Sequence, residues 1–332
     1  MFIIHSYSTA ILLCIITMLC WGSWANTTKL SSPGWRFELF YWDYAFGILI
    51  LSLIMAFTLG SRGEAGRSFL EDIKQADNAN LLSAFIGGVV FNLANILLVS
   101  AIALAGMAVA FPVGIGIALI LGVIVNYAGS PQGNAALLFG GVALIAVAIL
   151  LNAGAYKQVN KGKSTFSAKG LVVAIIAGVL MGFFYKYVAA SMAADFDVPE
   201  AGKLTPYTAL VFFAIGIVVS NFLFNALLMR FPFSGARLYA KDYFKGSAKD
   251  HLIGILGGVI WHIGMSFNII ASGKAGPAIS YGLGQGATII AAIWGIFIWK
   301  EFATASKSTY RNLYLMLLLY VIGIALIILA KN

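Results

Sequence analysis

The sequence predicts an all-α integral membrane protein of ten transmembrane helices in two inverted five-helix repeats. Three observations predict it. Of 332 residues, 61% are hydrophobic and 10% charged, a balance far more apolar than that of a soluble domain. Ten apolar runs are long enough to cross a bilayer as helices. The second half of the chain also repeats the small-residue pattern of the first at an offset of 170 residues.

The runs lie near 5–25, 39–59, 81–103, 107–127, 136–154, 168–190, 206–228, 251–272, 277–299 and 311–330. In hydrocarbon a segment must pair its own backbone amides, so even glycine-rich and β-branched stretches are expected to be helical. Residues 1–8 have no basic n-region, the apolar stretch continues to Trp24, and no small-residue cleavage site follows, so the first run is read as helix one and not a signal peptide. Cys14 and Cys20 fall inside it as small buried hydrophobes.

Orientation follows from the cations. The connections after helices one, five, seven and nine hold fourteen Lys and Arg residues, the opposite side holds six, and Lys186 lies inside a span. The positive-inside rule then places both termini outside the plasma (inner) membrane. The net charge of +9 reads as a membrane-face charge, not a nucleic-acid patch. Arg62, Arg67 and Lys74 dissent, diluted by Glu64, Glu71, Asp72 and Asp77.

At the 170-residue offset, Gly87-Gly88-Val89 falls on Gly257-Gly258-Val259, Ala105-Gly106 on Ala275-Gly276, and Gly114 and Gly116 on Gly284 and Gly286. An odd number of helices per half inverts the second copy, the plan of secondary transporters with a site at the midplane. The expected division is 1–155 for the first repeat, 156–167 for a basic cytoplasmic linker and 168–332 for the second repeat, with helices three and eight crossing near the centre.

The same register pairs Asn92 with His262. Gly254, Gly258, His262 and Ser266 recur every four residues and make one small or polar stripe, while helix seven carries Asn221 and Asn225 at the same spacing. Such amides either bond neighbouring helices or face a solute. Asn92, Asn95, Asn225, His262 and Gln285 can exchange hydrogen bonds with a polar solute, and Trp21, Trp24, Trp261, Tyr281 and Trp294 can offer rings. Trp24, Trp35, Trp42 and Trp299 suit the interfacial belt.

Charge in mid-membrane costs about 2.5–3.5 kcal/mol on insertion scales, and these spans keep little of it. The midplane holds amides, hydroxyls, imidazole and rings, so the expected solute is small, neutral and polar. Candidate coupling groups, if protons are a second partner beside the bilayer, are His262, Asp43 and Lys186. The sequence has no His-Glu-x-x-His pair, no aspartate cluster in a span and no Gly-rich phosphate loop with its lysine. An enzyme, a metal site and a cofactor are therefore not expected.

The stretches GGVVFNLAN, AGMAVAFPVGIG and VNY in the first half, with LGGVIWH, KAGPAISYGLGQG and WGIFIWKEF in the second, resemble the drug/metabolite transporter superfamily over nearly the whole chain. Within it the chain resembles the branches of the glucose/ribose porters, the L-rhamnose symporters and the plant ureide permeases. WDYAFG and LTPYTALVFF look closest to the ureide permeases, while bacterial relatives of this size resemble the sugar branch. The resemblance implies alternating access. The expected substrate is a monosaccharide such as glucose, ribose or rhamnose, to which scattered amides are suited; the alternative is a ureide, nucleobase or nucleoside.

Overall fold

A computed structural model describes residues 1–63, 65–159 and 167–331. Lys161 and Lys163 of the expected linker, and the last residue, lie outside them. Ten helices among the described residues are long and apolar enough to cross a membrane. They are α1 (Tyr7–Ser23), α2 (Phe37–Phe57), α3 (Asn78–Ala105), α4 (Met107–Gly129), α5 (Ala135–Val159), α6 (Ala168–Ser191), α7 (Pro206–Arg230), α8 (Ala248–Ala275), α9 (Pro277–Ile298) and α10 (Lys307–Leu329). Each overlaps its apolar run, with boundaries shifted by a few residues.

Irregular pieces interrupt this plan. A 3₁₀ turn, Trp24–Leu30, prolongs α1. α9 breaks between Gly284 and Ala287 and closes in a π-turn, Trp294–Ile298. Two short helices lie in connections, Phe69–Gln75 before α3 and Ala240–Tyr243 before α8. The first is started by Ser68, whose amide and hydroxyl donate to the Glu71 carboxylate at 3.0 and 2.7 Å, and the second by Tyr239, whose amide donates to Asp242 at 2.9 Å. Both are acidic-residue N-terminal caps.

Positions 170 residues apart share local geometry. α3 and α8 are each 28 residues long. Each ends at a glycine with positive φ, Gly106 (77°) and Gly276 (83°), and the next helix begins at once. A side chain would be strained there. Gly258 of α8 lies against the Tyr44 carbonyl of α2, as Gly88 of α3 lies against the Phe213 carbonyl of α7. Gly47 meets the Ile255 carbonyl and Gly216 the Phe85 carbonyl in the same two crossings. Small residues let backbones touch where lipid offers no hydrophobic drive for association. The major contacts also exchange in pairs: α3 on α6 with α8 on α1, α4 on α6 with α9 on α1, and α2 on α8 with α7 on α3, while α5 packs on α10. α3 and α8 themselves meet through side chains at the centre, Phe91 against Trp261.

One end of the bundle is tied shut. Arg67 donates to Asp72 at 2.9 Å and to the carbonyls of Pro199, Glu200 and Lys203 at 2.6, 3.1 and 2.7 Å. Asp72, fully buried, also accepts from the Thr205 amide at 2.7 Å. This joins the α2–α3 connection to the α6–α7 connection. At the other end, which carries most of the cations, Ser32 donates its amide and hydroxyl to Asp250 at 2.7 and 3.0 Å, and Arg36 donates to Glu38 and to the carbonyls of Ser234 and Ala236. The α1–α2 and α7–α8 connections are thereby joined there.

Candidate functional site

A cavity of about 720 Å³ opens at the basic end and runs into the bundle. Its inner part is aromatic. Trp21 of α1 and Trp261 of α8 stack with centroids 5.8 Å apart and planes 10° from parallel, and Trp21 Nε1 donates to the Trp261 carbonyl at 3.2 Å. Phe91 of α3 lies 4.3 Å from Trp261, and Phe184 and Met181 of α6 complete this floor. Trp261 is itself buried, its ring covered by Trp21, Phe91 and Phe213, so the half-buried Trp21 is the member of the pair that offers ring surface to a solute.

Polar groups stand around the rings. Asn95, one turn past Phe91, lines the cavity and donates its amide to the Tyr41 hydroxyl at 3.1 Å. Gln285 lies at the break in α9, where the helix has lost its regular ladder, and Thr288 donates to the Gln285 carbonyl at 3.0 Å. Asn152 of α5 also lines the cavity, with an oxygen that has no partner among the described residues.

Charge is confined to the mouth, at Lys29 and Glu301 among the described lining residues. Glu301 accepts from the Tyr156 hydroxyl at 2.7 Å and faces Lys29 Nζ at 3.5 Å. Lys29 also lies 4.0 Å over the Trp299 ring, whose Nε1 donates to Asn26 at 2.6 Å. The adjoining backbone is irregular, with the π-turn just before and Lys300 at φ 51°.

Of the expected binding residues, the structure places the tryptophans and two of the amides on this cavity. It sets the other four between helices. Asn92 donates to Ser220 at 2.8 Å, and Asn225 donates to the Glu38 carbonyl at 2.8 Å. The Tyr281 hydroxyl shares its proton between the Ala118 and Met181 carbonyls at 3.0 and 3.1 Å. His262 is fully buried, and neither ring nitrogen has a partner among the described residues. Of the candidate coupling groups, Lys186 is exposed on α6. Asp43 accepts from the Tyr243 hydroxyl at 2.5 Å and pairs with His251 Nδ1 at 2.8 Å, so it ties α2 to α8 and to the short helix before α8. Burial and the Asp43 carboxylate raise the Tyr243 phenol above its ordinary value, which keeps it a proton donor in this tie.

Phe91, Phe184, Asn152, Tyr156, Lys29, Glu301 and Thr288 line the cavity without having been expected there. The repeat could have found Phe91, since it occupies the position equivalent to Trp261. Glu301 and Lys29 are 272 residues apart, and neither lies in an apolar run.

The family model for ureide permeases matches residues 40–169 and 156–330. Ureide permease 1 of Arabidopsis thaliana is 23% identical over 388 residues, covering 98% of this chain and 98% of its own, and ureide permease 2 of the same plant is 23% identical over 394 residues with the same coverage. A solved crystal structure aligns with a TM-score of 0.59 at 15% identity, over 97% of this chain and 96% of the other, which shows the fold alone. With ten membrane-crossing helices, an open cavity and a match over nearly its whole length, the chain belongs to the ureide permease family and is an integral membrane transporter of small solutes.

Proposed function

We propose that the solute is a planar, neutral amide-bearing ring such as a ureide or nucleobase, moved by alternating access. The observation that carries this reading is the floor of nearly parallel rings, Trp21 and Trp261 at 10°, with Asn95 and Gln285 on the same cavity. A ring with alternating carbonyl and N–H groups gains from both: stacking on the half-buried Trp21 indole, which Trp261 backs, and donor and acceptor partners from two amides. The curated relatives are named ureide permeases, which favours this solute over the monosaccharide expected from the sequence. Among the described residues the inner cavity sets rings beside only a few amides, whereas a pyranose carries hydroxyls on every edge.

The two five-helix halves act as inverted repeats in this reading, supported by the matched crossings of Gly88 and Gly258. With the basic end cytoplasmic and the termini outside the plasma membrane, the cavity is open inward and the Arg67–Asp72 tie closes the outer side. Proton coupling is assigned to Glu301, the carboxylate in the cavity wall.

Uptake into proteoliposomes of radiolabelled allantoin, uracil and hypoxanthine, beside glucose, ribose and rhamnose, tests the substrate. Saturable uptake of one of the ring amides, competed by none of the sugars, is expected. Sugar uptake with no response to any ring amide would sink the reading. External labelling of single cysteines tests the orientation: position 195 should react and position 234 should be protected in sealed vesicles of native polarity.

A further inference from the structure

The α7–α8 connection combines exposed cations with exposed rings in a way the transport cavity does not use. Arg230, Arg237, Lys241, Lys245 and Lys249 are all exposed. So are the rings of Phe231 (60%), Tyr239 (50%) and Phe244 (80%). The cations lie beside the rings: the guanidiniums of Arg230 and Arg237 are both 5.8 Å from the Phe231 ring, and Lys241 Nζ is 5.7 Å from the Tyr239 ring. Asp242 is tied to Lys245 at 2.7 Å, so the surface remains strongly positive.

Leaving an aromatic ring this exposed is unfavourable in water, whereas rings at the ends of membrane helices settle at the headgroup level and their cationic neighbours reach the phosphates. The connection joins two membrane-crossing helices, which holds it at the bilayer surface. We propose that residues 230–249 form a binding surface for anionic phospholipid headgroups, with Phe231 and Phe244 in the acyl boundary and Arg237, Lys241 and Lys245 on the phosphates. The occupant is the lipid of the leaflet on the basic side, chosen by charge complementarity and by the rings between the cations.

Bound lipid would also bear on the bundle. The segment is anchored from beneath by Arg36, which donates to the carbonyls of Ser234 and Ala236, and by Tyr243, which donates to Asp43 and lies 4.6 Å from the His251 ring. Headgroups that fix Lys241 and Lys245 fix Tyr243 between them, and so steady the tie of α2 to α8. Trp35, 5.4 Å from His251 and 6.5 Å from Tyr243, reports on that tie.

The test uses the full chain, purified and stripped of lipid in detergent, then titrated with phosphatidylglycerol or phosphatidylcholine. Bound lipid is counted by native mass spectrometry. Phosphatidylglycerol should be retained in preference to phosphatidylcholine, with retention falling as salt rises. The variant R237Q/K241Q/K245Q should lose roughly fivefold per cation, on the order of a hundredfold in all, and F244S should weaken binding further. K307Q/R311Q, which removes cations from the start of α10, should retain the lipid. Phosphatidylglycerol should shift the tryptophan emission of the wild type and not that of W35F. Equal retention of the two lipids, undiminished retention by a monodisperse triple variant, or an equal loss in the α10 variant would each overturn the proposal. So would light scattering that shows the surface joining two copies whether or not lipid is present.

Discussion

Phe91 and Trp261 occupy equivalent positions of α3 and α8, 170 residues apart, and their ring centroids lie 4.3 Å from each other with planes 32° apart. Each is thus its counterpart's nearest aromatic neighbour among the described ring contacts near the centre of the bundle. Trp261 in turn carries Trp21, so a contact between equivalent residues becomes one wall of the cavity.

Solute affinity should therefore depend on Trp261 more than on any single amide. A ring platform is worth about 1–3 kcal/mol to a stacked planar base, and Trp261 is the ring on which Trp21 rests, so Trp261→Ala should weaken binding about 10- to 100-fold by unseating Trp21. Trp261→Phe should keep most of it, and Phe91→Ala should act through Trp261 by loosening its seat. Equilibrium binding of the transported solute to purified protein measures all three. An alanine variant at Trp261 that stays folded and binds like wild type would remove the ring floor from the mechanism.

The crossings of α2 with α8 and of α3 with α7 make a prediction about folding alone. A β-carbon at Gly258 or Gly88 would fall on the carbonyl of Tyr44 or Phe213, and backbone cannot yield as a flexible side chain can. Gly258→Val and Gly88→Val should each cost at least the 1–3 kcal/mol typical of overpacking and show as loss of the monodisperse peak in size exclusion. At Gly116 and Gly154 nothing lies within 4 Å of the added carbon. Alanine there should be neutral or stabilise by up to about 1 kcal/mol through helix propensity.

These crossings also mark what could be read in the chain. Ten spans were legible because lipid forces apolar, self-paired helices, and the offset that aligns Gly88 with Gly258 was legible because close crossings require small residues. The break in α9 was not. Gly284, Gln285 and Gly286 sit inside a continuous apolar run, and only the neighbours of that run decide whether it bends. For the cavity, a polar residue in a span announces itself, but its direction does not. Asn95 and Asn92 are three residues apart on α3, yet one borders the cavity and the other bonds Ser220 of α7. Asp43 was visible as a carboxylate near a helix end, while its partners Tyr243 and His251 lie 200 and 208 residues away.

Glu301 supplies a prediction about energy coupling. It sits where the cavity meets water, held by Tyr156 at 2.7 Å and Lys29 at 3.5 Å, and follows a residue in left-handed backbone and a π-turn. A non-glycine residue in left-handed backbone costs about 1–3 kcal/mol and persists only where the surrounding structure holds it there. Other cations at this end are Lys157 on α5 and Lys300, Lys307 and Arg311 around the α9–α10 connection. Glutamine at position 301 would remove the charge that Lys29 faces at 3.5 Å. Glu301→Gln should still exchange labelled for unlabelled solute across the membrane but lose accumulation driven by a pH gradient, while Glu301→Asp keeps part of it. Undiminished gradient-driven accumulation in the glutamine variant would exclude Glu301 as the coupling group.

His262 makes the sharpest separation between stability and function. A buried donor or acceptor without a partner costs about 1–3 kcal/mol, and both nitrogens of this ring lack one among the described residues. Its neighbours Gly258 and Ser266 leave a small, partly polar strip along α8, and the Ser266 hydroxyl is likewise without a partner. If the ring served packing alone, a flexible apolar side chain of similar length would serve better. His262→Met should therefore raise the melting temperature in detergent, because it removes an unsatisfied imidazole and keeps the volume. Transport should nevertheless fall, since a costly group is expected to be retained only where another step of the cycle uses it, and His262→Gln should restore part of the uptake by returning a donor and an acceptor. The two readouts move in opposite directions under this hypothesis. A methionine variant that is both more stable and fully active would leave the imidazole without a role in transport.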